Sequence, residues 1–288
     1  MNSLLNSIEE WIRQGLIDSI MENFIGMFDA LNQQVGQTAV QVGMTPASFN
    51  PGVYSMIRTL SETVIIPIAG MILTFIACYE LITMIIERNN FHDFETFIFF
   101  KWIFKTFVAV FILTNTFTIV MSVFELAQSV VNQSAGIIQG SLDIGGTTLD
   151  AFQTQIEAMG IWQLIGLWMQ IQIVHLCIMI MSIVIFIIVF GRMIEIYLVV
   201  SIAPIPLSTM VNREWGSLGT NYLKSLFALG FQGFLIMVCL GIYAVLIQSI
   251  ATADSIHMAI WISVGYTALL CFTLMKTGSL AKSLFGAH

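Results

Sequence analysis

Apolar residues recur at steps of three or four along the first 33 positions. Leu5, Ile8, Ile12, Leu16, Ile20, Phe24, Met27 and Leu31 fall on one side of the helix that this spacing predicts over 3–33. Glu9, Arg13, Asp18, Glu22 and Asp29 fall on the other. Ser7 and Glu10 have the spacing of a capping box. The helix reads as too polar to span a bilayer, and its polar face is acidic, whereas interfacial anchors usually carry basic ones. Two settings stay open for it: packing on a neighbouring subunit or the bundle's edge, and lying in the interface. The stretch "GQTAVQVGMTPASFNPG" (36–52) reads as linker, and the linker is expected to extend to 58. Beyond it the pattern changes to long apolar segments at about 62–86, 102–127, 161–191, 222–250 and 257–275, with a doubtful further one at 193–211.

Composition turns these segments into membrane spans. The chain has 288 residues, 57% hydrophobic and 9% charged, against about 25% charged in a soluble domain. Lipid must therefore be the solvent for most of it. Backbone polar groups in hydrocarbon have to pair internally, which leaves helices or a closed barrel. Barrel strands alternate apolar and polar residues, and runs such as "IMIMSIVIFIIVF" do not. The fold class is all-α, a polytopic transmembrane helical bundle.

Lys and Arg set the topology, because they gather in cytoplasmic loops. The run 161–211 is too long for one ordinary span of roughly 20 residues. If it makes one net crossing, Arg88, Lys101, Lys105, Arg192, Arg213, Lys224, Lys276 and Lys282 share one side and Arg13 and Arg58 the other. A second crossing within it would move Arg213, Lys224, Lys276 and Lys282 across and erase the asymmetry. The expectation is five net crossings, with the N-terminus outside and the C-terminus cytoplasmic in a cell membrane. The spans group as two over 59–127 and three over 161–288, joined by an external loop, 128–160, that holds no base. Trp102, Trp162, Trp168, Trp215 and Trp261 lie near predicted span ends, where amphipathic rings prefer to sit.

Within "GRMIEIYLVVSIAPIPLSTM" (191–210) the helix is expected to break. Pro204 and Pro206 lack an N–H and free the carbonyls of Val200 and Ile202. Ala203 and Ile205, each before a proline, are expected to turn extended. Arg192 and Glu195 are three apart and can face each other on one helix side. Two readings stand side by side: a kinked helix end with Arg192 snorkelling, and a re-entrant element at the inner mouth of a pore. Glu80 is either an interfacial acid near the inner face or a pore-facing group and partner for Arg192. Lys101 and Lys105 are explained by snorkelling. His175 in the third span is expected to be hydrogen-bonded between helices. Gly230 and Gly233 are expected to admit a close neighbour, and Gln232 to bond across helices; Gly136 and Gly140 match a small-residue spacing only formally.

Other chemistry is scarce. The net charge of −7 argues against a basic clamp for nucleic acid. Cys78, Cys177, Cys239 and Cys271 form no CxxC and read as small buried hydrophobes. The first 30 residues hold five acids and one base, so they do not read as a signal peptide. No phosphate loop, HExxH or GxSxG is present, so neither catalysis nor a cofactor is expected. Three classes remain: a channel or scaffold subunit, a secondary transporter, and a non-conducting anchor that recruits partners.

The order of elements, with Arg192, Glu195, Ala203-Pro204, Lys224 and Gln232 in "GRMIEIYLVVSIAPIPLSTMVNREWGSLGTNYLKSLFALGFQGFLIMV" (191–238), resembles the TrbL family of type IV secretion and conjugation systems, in its Gram-positive form. The resemblance implies a homo-oligomeric ring, a pentamer where assembled. It further implies secretion ATPases and other inner-membrane subunits as partners, and passage of relaxase-bound single-stranded DNA or support of pilus assembly. On that reading Arg192, Glu195, Ala203, Pro204, Pro206, Glu80 and Lys224 are the candidate elements of the pore or its inner mouth. Gly230, Gly233, Gln232 and His175 are the candidate packing residues.

Overall fold

The computed structural model describes residues 2–87, 96–138, 146–212, 214–252 and 255–287. Its elements are helices: α1 (Asn2–Val42), α2 (Pro46–Phe49), α3 (Pro51–Leu60), α4 (Ile66–Glu87), α5 (Thr96–Thr114), α6 (Thr116–Ile138), α7 (Gly146–Glu157), α8 (Ile161–Ser201), α9 (Pro204–Ser208), α10 (Gly216–Gln248) and α11 (Ile256–Phe285). A π-helical turn, Ser61–Ile65, joins α3 to α4. It precedes Pro67, whose ring and missing N–H disturb a regular helical ladder. Four continuous helices are long and apolar enough to cross a membrane: Pro51–Ile86, Ile161–Ser201, Gly216–Gln248 and Ile256–Phe285. A fifth candidate is a pair, Phe99–Thr114 and Thr116–Ser134, bent by 68°. The protein is a polytopic helical bundle.

Several local expectations change. The helix starts at Asn2, so Ser7 lies inside it and not at its N-cap. The expected linker 36–58 is mostly helical, because both of its prolines open helices. Thr45 Oγ1 accepts from Ser48 N at 3.2 Å, with Pro46 as the first residue of α2. Asn50 Oδ1 accepts from Val53 N at 3.0 Å, with Pro51 as the first residue of α3. A polar cap followed by proline is a helix start, since the missing N–H is one that no helix would use. The expected loop 128–160 holds the end of α6 and all of α7; Gly140 lies outside the described residues.

The second span, expected to be continuous over 102–127, is the bent pair. Its hinge is Thr114-Asn115-Thr116, and all three side chains bond back to the helix. Thr114 Oγ1 donates to Val110 O at 3.0 Å, Asn115 Nδ2 to Phe111 O at 2.9 Å and Thr116 Oγ1 to Ile112 O at 2.9 Å. Such side chains take carbonyls from the ladder and bend helices.

The chain forms two compact units. One comprises residues up to Val42, Asn132–Val189 and Ile236–Lys276. Here α1 runs beside α8 in the same direction. Trp168 Nε1 donates to Ser19 Oγ at 3.3 Å. Further along, Leu31, Gln34, Val35 and Thr38 line a small cavity with Ser182 and Ile185 of α8, Leu240 and Tyr243 of α10, and Thr267 and Leu270 of α11. The apolar face of α1 is thus core: Ile20, Phe24, Met27, Leu31 and Val35 are buried. Tyr243 and Thr267 share a hydrogen bond of 2.8 Å between α10 and α11.

The other unit comprises Gly43–Val131, Phe190–Leu235 and Thr277–His288. Its core joins Ile57 of α3, Phe117, Val120, Met121 and Phe124 of α6, Met193, Ile196, Tyr197 and Val200 of α8, Leu207 of α9, and Leu226 and Leu229 of α10. Tyr197 Oη donates to the carbonyl of Pro46 at 2.6 Å, which ties the α2 start to α8. Of the cysteines, Cys271 alone is buried, Cys177 and Cys239 are half-buried, and Cys78 is exposed; in lipid an exposed thiol costs little.

Phe24 stacks edge-on with Phe28 at 5.0 Å and with Phe152 of α7 at 5.5 Å. Phe24→Ala is expected to destabilise the protein by about 3 kcal/mol in unfolding from mild detergent. A loss below about 1 kcal/mol would show that α1 and α7 are not packed through this ring.

Candidate functional site

The candidate residues that the sequence marks in α8–α10, His175 excepted, lie in the second unit. The helix break is tighter than its two prolines suggest. The carbonyl of Val200 accepts from Ala203 N at 3.2 Å, and that of Ile202 from Ile205 N at 3.1 Å. Both carbonyls freed by the prolines are therefore re-used three residues on, which answers the need for internal pairing at membrane depth. Ala203 does not turn extended. It is helical, with φ −49° and ψ −38°. The bias of a pre-proline residue is overridden because 3₁₀-type turns keep the chain coiled through the break. Pro204, Leu207 and Ser208 are buried, Pro206 is half-buried, and α9 lies against α4 and α5.

Close approach follows. A Cβ at Gly219 of α10 would stand 2.6 Å from the carbonyl oxygen of Pro206 and 2.1 Å from Met210 Cγ. Only glycine fits there.

Between two and three turns before the break, Arg192 is buried at 5% exposure, so it does not snorkel. Its guanidinium occupies space that a side chain on α10 would otherwise fill: a Cβ at Gly233 would lie 2.7 Å from Nη2 and 3.2 Å from Val131 Cγ2 of α6. Arg192 Nε has no hydrogen-bond partner. The facing expected between Arg192 and Glu195 does not form an ion pair; Glu195 instead accepts from Lys282 Nζ of α11 at 3.1 Å. The reason is reach: Arg192 is directed into the α6–α10 contact, whereas Glu195 lies at the half-exposed edge beside α11.

Beside this layer, Gln232 is buried. Its Nε2 donates to Thr277 Oγ1 at 3.4 Å, and its Oε1 has no partner. A Cβ at Gly278 would approach Gln232 Nε2 to 3.2 Å. Gly230 faces Ala127 of α6, whose Cβ would lie 3.2 Å from an added Cβ. Glu80 is not brought to Arg192; it pairs with Lys105 across the α4–α5 hairpin. In the same hairpin Trp102 Nε1 donates to Ala77 O at 3.2 Å. Lys224 is exposed.

His175, in the other unit, departs from expectation. It is exposed on α8, while the imidazole that joins two helices there is His257, whose Nδ1 lies 2.6 Å from Gln170 Oε1. The sequence marks neither Thr277 nor Gly219, and Lys282 only as a base that sets topology, not as the partner of Glu195. Gly219 has a signal, a GxxG at the α10 start, but the other two become relevant only when α11 lies beside α8 and α10.

The description of one protein family, "TrbL/VirB6 plasmid conjugal transfer like protein", fits residues 31–204, more than half of the chain. The chain belongs to this family, and it is a multi-pass membrane component of the conjugal transfer type. The matched part includes Arg192, Glu195, Ala203 and Pro204 and stops before Lys224 and Gln232. No curated protein and no solved structure matches.

Two substitutions test this geometry. Gly219→Ala is expected to destabilise by about 2 kcal/mol, because a backbone carbonyl must move. Arg192→Met is expected to leave stability unchanged or raise it by about 1–4 kcal/mol, since it removes a buried charge and retains volume. A fall of about 3 kcal/mol or more in detergent unfolding would mean that the guanidinium has a partner.

Proposed function

We propose that this TrbL/VirB6 family member is a non-enzymatic channel or scaffold subunit of a conjugative type IV secretion apparatus. The observation that carries the reading is the family match over residues 31–204, on a chain whose apolar helices make it a multi-pass membrane protein. In this reading several copies form a ring, a pentamer by family resemblance. The ring works with secretion ATPases and other inner-membrane subunits to pass relaxase-bound single-stranded DNA or protein, or to support pilus assembly.

The eight-to-two split of Lys and Arg supports an external N-terminus and a cytoplasmic C-terminus. It also supports an external position for the base-free segment 128–160. The break at 202–206, with Arg192, Glu195, Glu80 and Lys224, then belongs to the cytoplasmic half. The inward burial of Arg192 favours a positioning role for it, holding α6, α8 and α10 together, over a place on the pore wall.

The test is native mass spectrometry of the protein in nanodiscs with native lipid, paired with mating assays of a strain lacking this chain. A discrete ring, and loss of transfer that the intact chain restores, are the expected outcomes. A stable monomer with lipid retained overturns the ring, and undiminished transfer overturns the assignment to the apparatus. Cysteines placed at Gln133 and Gln153 are expected to react with impermeant thiol reagents from outside; labelling only from the cytoplasmic side reverses the topology.

A further inference from the structure

The first unit contains a helix whose outer face does not suit lipid. Depth within this unit follows from contacts between its own helices. His257 near the start of α11 meets Gln170 of α8, and Trp168 of α8 meets Ser19 of α1. The end of α10 at Gln248 and the start of α11 at Ile256 therefore mark one end of the unit's apolar layer. From that end α11 descends to Thr267 and Leu270, α8 to Ser182 and Ile185, and α1 to Leu31, Gln34, Val35 and Thr38, which all line one small cavity. Asp29 stands ten residues beyond Ser19 on α1, or roughly 15 Å at 1.5 Å per residue. That is about half of a 30 Å hydrocarbon layer.

At the depth of Asp29 to Gln37 the exposed side chains of α8 are Leu176, Met179, Ile180, Ile183 and Phe186, a surface made for lipid, whereas its exposed polar residues Gln172 and His175 lie nearer the end marked by Trp168. The exposed stripe of α1 is different. Glu22, Gly26, Asp29, Gln33 and Gly36 follow one another at steps of three or four, Gln37 lies beside Gly36, and all are exposed; the apolar residues exposed with them are Ile25 at one edge and Val40 beyond the stripe. A Cβ added at Gly26 or Gly36 would meet nothing within 4 Å. Carboxylates and amides at the centre of a bilayer face protein or a water-filled cavity, not acyl chains.

We propose that this α1 stripe lines a water-filled passage enclosed by further copies of the chain. The proposal rests on the ring reading above and names the helix that wets its interior. It moves the lining from the Arg192 region to α1. The stripe is acidic and amide-bearing and holds no base, so the passage wall favours cations over anions; of the roles proposed above it suits protein passage or pilus support and disfavours bare single-stranded DNA.

The experiment uses the full-length chain with its four native cysteines replaced, in membranes carrying the assembled apparatus. Single cysteines are placed by Asp29→Cys, Gln33→Cys and Gly36→Cys, with Ile180→Cys and Ile183→Cys as lipid-facing controls. Membrane-impermeant methanethiosulfonates, one cationic and one anionic, are the probes. The three α1 positions are expected to react at least about tenfold faster than the controls, and Gln33→Cys and Gly36→Cys about tenfold faster with the cationic reagent than with the anionic one.

Labelling of the three positions as slow as that of Ile180→Cys, with full labelling after denaturation, overturns the lining. Oxidation that links Gly36→Cys between copies in high yield also overturns it, because the stripe is then sealed against another subunit. Native mass distinguishes the two failures. A ring with unlabelled α1 defeats this proposal alone, and a monomer with α1 labelled defeats the ring.

Discussion

Three irregularities among the described helices answer to one constraint: a backbone carbonyl or N–H at membrane depth must find a partner inside the protein. The chain meets it at each of the three. At Pro204 and Pro206 the freed carbonyls of Val200 and Ile202 accept bonds from residues three further on. At the 68° bend, the side chains of Thr114, Asn115 and Thr116 take up carbonyls of the preceding turn. Before Pro67 a π-helical turn carries the helix on. Shape is thus adjusted without exposing unpaired backbone to lipid.

The same constraint, applied to side chains, sorts the charges. Glu80 with Lys105 and Glu195 with Lys282 are ion pairs between helices of the second unit, and both are partly exposed. Pairs of that kind add little to stability, and their value lies in making a charge tolerable where lipid is near. Arg192 is handled differently. It is enclosed, and its space on α10 is left by a glycine. A buried guanidinium whose Nε lacks a partner is a weak source of stability. Its place between α8, Gly233 of α10 and Val131 of α6 fits a role in the register of those helices. Gln232 and Thr277 form a second polar contact in that unit, again beside a glycine.

Membership in the TrbL/VirB6 family gives this architecture its setting, and α1 gives the setting a physical consequence. The helix combines an apolar face that is core with a polar face that remains exposed. A single chain in lipid would leave that face unsolvated. In the proposed ring further copies enclose that face, which is why a ring and a wet interior belong to the same reading.

The sequence alone determined the solvent and the elements. Long uncharged apolar runs admit only membrane helices, and two prolines a residue apart admit only a break, because both statements depend on local chemistry. Part of what was misread was also local: Thr45-Pro46 and Asn50-Pro51 are cap-and-proline starts, legible as helices in "MTPASFNPG", and Thr114-Asn115-Thr116 is a polar triplet inside an apolar run. Tertiary structure decided the partners. That Glu195 meets Lys282, that Glu80 meets Lys105, that Arg192 rests on Gly233 and that His257 rather than His175 joins two helices depend on which helix lies alongside which. Helical periodicity tells which residues share a face, but it carries no information about the face opposite. In a membrane, where most faces are apolar and lipid serves as well as protein to cover them, that choice is made by packing shape and by the few polar groups that lipid will not accept.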